Sequence, residues 1–243
     1  MKIYALYEDM LQQPHLLVVG ATGSGKSTLI NGVIYTALKD SPRDTQFILI
    51  DPKRVELSKY KTLPHCIRYA SEPGDMVDAL HYAINLTDAR YKEMQHAGIT
   101  DYNGGHVYVI IDELADLMTT NKKQIMPPLQ RLCQIGRSAH VHVIAATQCP
   151  LREVIPTAIK VNFDARVGLR TGSAQDSRNI LNITGCEKLP NPRTTHTAQG
   201  YYKNPDGITL YNIPLVTPEE INAIIEYWKP TQKPLFKKLT PAA

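Results

Sequence analysis

The stretch Val18-Val-Gly-Ala-Thr-Gly-Ser-Gly-Lys-Ser27 narrows what this chain can fold into more than any other part of it. Its spacing, Gly20-x-x-x-x-Gly25-Lys26-Ser27, is that of a loop whose backbone N–H groups wrap an anion. Gly20, Gly23 and Gly25 open backbone dihedrals closed to other residues, so successive amides can turn inward. Lys26 would bring a mobile cation to the β- and γ-phosphates of ATP, and the Ser27 hydroxyl is placed to hold Mg²⁺. Thr22, Gly23, Ser24, Gly25 and Thr28 complete the expected nucleotide cradle. Context supports the motif. His15-Leu-Leu-Val-Val-Gly20 reads as a buried strand, and Ser27 to Leu38 carries apolar residues at helical spacing. The helix would add its positive N-terminal end to the same site.

At 243 residues the chain is long enough for one large domain with a full core. It is 43% hydrophobic and 21% charged, ordinary for a globular protein. No run approaches the roughly 20 apolar residues of a membrane helix and the N-terminus has no secretory apolar segment, so the chain reads as cytosolic. Cys66, Cys133, Cys149 and Cys186 are far apart and form no C-x-x-C pair, which argues against zinc or a disulfide framework. The histidines show no metal-ligand spacing, so the only metal expected is the one that accompanies nucleotide. A net charge of +4 permits a polyanionic partner without identifying one.

Along the chain, residues 1–13 form a lead-in, 14–228 one α/β domain and 229–243 a loose, basic tail. Gln46-Phe-Ile-Leu-Ile-Asp51 reads as a strand, and Asp51-Pro52-Lys53 beyond it is best explained as a polar loop cap. Pro73 to Ala97 has the pattern of one long amphipathic helix, with Gly98 as its C-cap. His106-Val-Tyr-Val-Ile-Ile-Asp112-Glu113 is an apolar strand ending in two carboxylates. After a phosphate loop, such a pair predicts that Asp112 holds Mg²⁺ through water and Glu113 polarises the water attacking the γ-phosphate. A helix over Leu114–Met118 is expected to break at Thr119–Lys123 and to resume from Gln124 to Ala139. His140 to Gln148 reads as another buried strand, with Gln148 at the end where a γ-phosphate sensor belongs. Asp164–Leu169 and Ile208–Ile213 read as further strands. Thr217, Pro218 and Glu220 form the capping box of a helix that ends at Trp228.

In this order the motifs resemble those of the FtsK/SpoIIIE DNA-translocase motors. The likeness rests on H-L-L-V-V-G-A-T-G-S-G-K-S (15–27), I-D-P-K-x-x-E-L (50–57), L-P-H (63–65) and R-Y-K-x-M (90–94). It continues through V-I-I-D-E-L-A-D-L-M (109–118), G-R-S-A-x-V-H-V-I-A-A-T-Q (136–148) and D-S-R-x-I-L (176–181). The resemblance implies a RecA-like P-loop core with a mostly parallel central sheet and helices on both faces. It also implies a homo-hexameric ring around double-stranded DNA that hydrolyses ATP at subunit interfaces. Lys26, Asp112, Glu113 and Gln148 would then be catalytic, and Arg137 would be an arginine finger acting on a neighbour's nucleotide. For the DNA path it points to Arg152, Lys160 and Arg178, gripping phosphates without reading bases.

Two positions depart from the family pattern. Cys149 stands where an arginine is usual, and Ala174 where a lysine precedes D-S-R. Both remove a cation from the expected DNA path. They keep open an alternative within the same superfamily, an ATPase coupled to polypeptide secretion or substrate transfer, as in type VII secretion or conjugation. The family's membrane anchor, α subdomain and winged-helix domain have no counterpart here. The chain therefore reads as a trimmed motor core or as a minimal member of the kind found on mobile elements.

Overall fold

The computed structural model describes residues 5–151 and 153–229. Six short apolar runs become parallel strands: β1 (His15–Val19), β2 (Thr45–Ile50), β3 (Cys66–Ala70), β4 (His106–Ile111), β5 (Val141–Thr147) and β6 (Ala165–Leu169). An antiparallel hairpin, β7 (Gln199–Asn204) and β8 (Gly207–Asn212), extends the sheet from β6. The strand order is β3-β2-β4-β5-β1-β6-β7-β8. β1, β4 and β5 are buried nearly throughout because both sheet faces are covered, which is why their sequences read as continuous apolar runs rather than alternating ones.

Within each strand, successive side chains enter different cores. Leu17 and Val19 join one cluster with α3 (Pro73–Ala97) and α4 (Leu114–Ile135), whereas Leu16 and Val18 join another with α1 (Ala5–Gln12) and α2 (Lys26–Asp40). The result is a three-layer helix–sheet–helix sandwich. Within the lead-in, Ala5–Gln12 thus forms a helix. Tyr7 of α1 is fully buried, donates its hydroxyl to the Pro214 carbonyl and lies against Gly32, where a Cβ would collide with its ring.

Gly98 caps α3 at φ 67°, and Thr217 and Glu220 form the expected capping box on α8 (Pro218–Trp228). The break expected within residues 119–123 is present, as a kink rather than an open loop. Asn121 takes non-helical dihedrals (φ -157°, ψ 62°) between two helical segments of α4, and just before it Thr119 and Thr120 bond back to the Ala115 and Asp116 carbonyls, a pattern that bends helices. The same helix stops at Ile135 rather than 139, since Gly136 opens a tight turn into β5. Remaining short helices are α5 (Thr157–Lys160), α6 (Ala174–Leu181) and α7 (Pro192–Thr195). Among the described residues, no helix is long and apolar enough to cross a membrane. The proposed tail lies almost wholly outside the described residues.

Candidate nucleotide site

Parallel strands deliver their C-terminal ends to one edge of the sheet, and the charged residues gather there. The glycine loop leaves β1 between β5 and β6. It is tied to both neighbours, Gly20 N–H bonding the Thr147 carbonyl (3.2 Å) and Ala21 N–H the Arg170 carbonyl (2.8 Å). Gly23 and Gly25 take φ 76° and 105°, positions strained for any other side chain. α2 begins at Lys26, with Ser27 and Thr28 in its first turn. Lys26 Nζ donates to the Gly20 carbonyl across the loop at 3.1 Å. Burial lowers its pKa, partly opposed by the nearby Glu113 and Asp112 carboxylates.

β5 lies between β1 and β4, so the sensor strand separates the phosphate loop from the carboxylate pair. Glu113 is held on both oxygens. Oε1 accepts from Thr147 Oγ1 (2.7 Å) and from the Gln148 backbone N–H (3.0 Å), while Oε2 faces Lys53 Nζ at 3.3 Å. The Gln148 side chain accepts from Thr22 Oγ1 at 2.5 Å and so closes onto the phosphate loop. Lys53 also reaches Asp116 at 3.7 Å. Partial burial works against its charge, but Glu113 and Asp116 outweigh this and its pKa is raised.

Asp112 is 6% exposed, and its pKa is pushed up to about 6 by burial first and then by Asp51, Glu56 and Glu113. A carboxylate crowded by three others is short of a cation. Among the described residues no cluster of three ligands could hold a metal alone. This donor set fits Mg²⁺ of the kind carried by phosphates and water, with Ser27 and Asp112 as the protein's contribution. Ser24 Oγ is buried beside the loop without a protein partner, a further polar group consistent with a phosphate cradle.

A cavity of about 770 Å³ opens over the loop, lined by Thr22, Lys26, Thr28, Glu56, Gln148 and Arg193 among others, a size suited to a small ligand. Its far wall is the segment from Pro192 to Ala198, which the sequence did not reveal as part of the site. Arg193 and Ala198 pack so closely that a Cβ on Gly23 or Gly25 would lie 2.6 Å from their side chains.

Asp51-Pro52-Lys53 is more than a loop cap. Asp51 is fully buried and accepts the Leu57 N–H at 3.0 Å, and Lys53 is the cationic partner of Glu113. The signal was available: two charged residues flanking a proline at the C-terminal end of a central strand, directly beside the Asp112–Glu113 strand. Thr147, the hydroxyl that orients Glu113, carried no comparable signal.

Arg137 does not join this cluster. It sits exposed in the turn before β5, at the opposite edge of the sheet. Lys160 and Arg178 come together elsewhere, on α5 and α6. Lys160 Nζ donates to the Asn179 carbonyl, while Arg178 is exposed. Buried Arg166 ties these two helices to β6 through the Phe163, Lys160 and Ile180 carbonyls. Arg152 lies outside the described residues.

The chain matches the model of the FtsK/SpoIIIE family over residues 4–108 and 103–152. It is 34% identical to DNA translocase FtsK of Rickettsia typhi over 95% of its length and 37% of that protein's. It is 36% identical to DNA translocase SpoIIIE of Bacillus subtilis over 76% of its length and 26% of that protein's. The chain thus spans about a third or less of these curated relatives. Among solved structures, the pCW3 conjugation coupling protein TcpA with ATPγS superposes with a TM-score of 0.77 at 23% identity, covering 90% of this chain and 66% of that one. The cytoplasmic domain of the Thermomonospora curvata type VII secretion ATPase EccC gives 0.76 at 21% identity, covering 96% and 30%. These likenesses establish the fold, and the sequence matches establish the lineage: this chain belongs to the FtsK/SpoIIIE family.

Proposed function

We propose that this chain is an ATPase motor that drives double-stranded DNA through a homo-hexameric ring in the cytoplasm, with each ATP hydrolysed between two subunits. The observation that carries this reading is the division of the catalytic set between two edges of one sheet. Lys26, Ser27, Asp112, Glu113 and Gln148 stand at the C-terminal edge. Arg137 stands at the N-terminal edge, beyond the seven residues of β5, which span roughly 23 Å. An arginine so placed cannot reach its own phosphate loop, and a head-to-tail neighbour supplies the missing geometry.

In this reading Lys26 and the loop amides hold the phosphates, and Ser27 and Asp112 hold Mg²⁺. Bound MgATP supplies the phosphoryl group and an ion that screens its charge. Glu113 accepts a proton from water, and Thr147 and the Gln148 amide aim its carboxylate. Arg137 of the adjoining subunit neutralises charge building on the phosphoryl oxygens, which makes hydrolysis depend on assembly. The curated relatives are named DNA translocases, which favours a duplex as the cargo. Arg152, Lys160 and Arg178 would then contact phosphates, a grip that suits travel over any sequence.

Cys149 and Ala174, with no charge where cations are expected, favour a second reading in which the cargo is a polypeptide. Steady-state ATP hydrolysis with and without long duplex DNA, at low and moderate salt, separates the two. Stimulation that fades as salt rises supports DNA, because phosphate contacts release counterions. Turnover indifferent to DNA would leave the ATPase intact and favour the polypeptide-coupled reading.

A further inference from the structure

The R-Y-K-x-M motif near the end of α3 has no place in the nucleotide site, yet it carries a deeply buried arginine. Arg90 is 3% exposed. Burying a guanidinium is costly unless its donors are matched, and its first matches are backbone carbonyls. Its Nη1 donates to the Ala139 carbonyl at 2.7 Å and to the His140 carbonyl at 3.1 Å. The guanidinium also lies 4.4 Å from the centre of the Tyr102 ring. The neighbouring Tyr91 donates its hydroxyl to the Ile135 carbonyl at 2.8 Å. Two consecutive residues of one helix therefore grip the turn carrying Arg137 from both sides.

The rest of that turn is equally committed. The Ser138 carbonyl accepts from Tyr102 N–H (2.9 Å), that of Gly136 from Val141 N–H (2.9 Å) and that of Arg137 from His140 N–H (3.0 Å). Every carbonyl from Ile135 to His140 thus has a donor. His140 is held at φ 52° and its ring meets the Gly104 carbonyl, and Gly136 has no room for a Cβ, which would lie 2.2 Å from the Val141 oxygen. In contrast, the Arg137 side chain is exposed, and no hydrogen bond or ion pair ties it down among the described residues. A backbone with every carbonyl matched fixes where the Arg137 side chain leaves the turn and in which direction it points, while the untethered guanidinium stays available to a partner.

We propose that Arg90, seconded by Tyr91, is the positioning residue for Arg137, presetting the turn so that the guanidinium meets the neighbouring subunit's nucleotide. This rests on the trans reading of Arg137, and the test separates the two. Arg90→Met keeps the unbranched apolar stem of the side chain and removes its donors. Its subunits retain an intact phosphate loop and Glu113, so nucleotide affinity should stay within about twofold while turnover falls about tenfold or more, the scale of effect of a small misplacement. Arg90→Lys should recover part of the loss. Adding Arg90→Met to Arg137→Ala should cost nothing further.

Mixing supplies the decisive readout. Lys26→Ala subunits lack a working loop but offer a sound Arg137 turn. Combined with Arg90→Met, they should give more hydrolysis than the two measured separately, and Arg137→Ala should be rescued in the same way. Rescue of Arg137→Ala without rescue of Arg90→Met would reduce Arg90 to a core residue and overturn the proposal. No rescue of Arg137→Ala would overturn the trans reading itself. Tyr91→Phe, which deletes only the bond to Ile135, carries the same comparison should Arg90→Met fail to fold. Its turnover should fall with affinity intact and recover on mixing, and wild-type turnover would refute the bracketing role.

Discussion

Glu113→Gln changes one atom of the proposed base and leaves its shape, so its effects on folding and on chemistry can be worked out separately. The amide oxygen can still accept from Thr147 Oγ1 and the Gln148 N–H, now 2.7 and 3.0 Å from the carboxylate. Losing charge assistance costs about 1 kcal/mol at each bond. Its ion pair with Lys53 is worth less than its 3.3 Å separation suggests, because Lys53 is 43% exposed and solvent screening holds such pairs to roughly 1 kcal/mol or less. Against these losses, a side chain only 3% exposed no longer carries a charge, a relief of several kcal/mol. The terms nearly cancel, so the melting temperature should move by no more than about 6 °C either way. Turnover has no such compensation. An amide cannot take a proton from water, and loss of a general base lowers rate by about 10²–10⁴-fold. Thermal melting, nucleotide affinity and duplex-stimulated hydrolysis measured on one preparation test the whole argument. Turnover within about fivefold of the parent, with nucleotide bound, would show that Glu113 only braces Thr147 and Gln148.

Mixing Arg137→Ala subunits into the parent protein should depress hydrolysis beyond their share of the total, since sites that fire in turn stall at any interface lacking its arginine; strictly proportional loss would contradict coordinated firing around the ring. Gln148→Ala removes the acceptor that Thr22 reaches while keeping the backbone amide on Glu113; basal hydrolysis should survive and duplex stimulation should fall, and an unchanged stimulation ratio would exclude Gln148 from coupling. Arg178→Ala should reduce the slope of log affinity against log salt on duplex DNA by about 0.9, with ATP affinity intact, and an unaltered slope would remove Arg178 from the path. Stability should fall in mild acid. Burial lowers the pKa of His15 from 6.5 to about 4 and, with some help from His106, that of His142 to about 3. The unfolded chain therefore takes up protons below about pH 6.5 that the fold excludes, so their stabilisation is complete above that pH and is lost as pH drops toward 4. At pH 5 the loss is about 2 kcal/mol for each histidine. Equal guanidinium midpoints at pH 7 and pH 5 would contradict this.

The central strands and the long helices were legible because burial on both faces leaves a plain record: unbroken apolar runs for β1, β4 and β5, and helical periodicity for α3. The edges were not. β3 is half exposed and spells Cys-Ile-Arg-Tyr-Ala, and β7 spells Gln-Gly-Tyr-Tyr-Lys-Asn, so neither shows a clean pattern, whereas the span of β8 was legible to within one residue despite its exposure. In α4 the polar stretch did mark a break, which the structure confines to a kink at Asn121 between two helical segments. Within the site, the phosphate loop and the Asp112–Glu113 pair were readable because their chemistry demands fixed spacing. Thr147 and Arg193 act through register and long-range approach, which a one-dimensional pattern does not encode, whereas Lys53 lay in the I-D-P-K-x-x-E-L motif and its partner alone was hidden. Arg90 shows the same limit: its motif could be noticed, but its role depends on the turn that packs against it.

These long-range contacts join the two halves of the sequence into one device. Thr22 reports from the phosphate loop to the Gln148 side chain, the Gln148 amide holds Glu113, and Lys53 holds the other side of that carboxylate. Each contact comes from a different loop at the same sheet edge. Movement of the segment that begins at Cys149 would therefore change the posture of Glu113 through a single peptide bond. At the far edge, Arg137 is fixed by α3 and its following loop rather than by the nucleotide site. The proposed reaction thus depends on two rigid frames from different subunits. A filled phosphate loop alone brings no arginine, and an aimed arginine alone finds no γ-phosphate. Hydrolysis in this arrangement becomes a property of the interface, and in this reading that dependence couples turnover to movement of a cargo through the assembly.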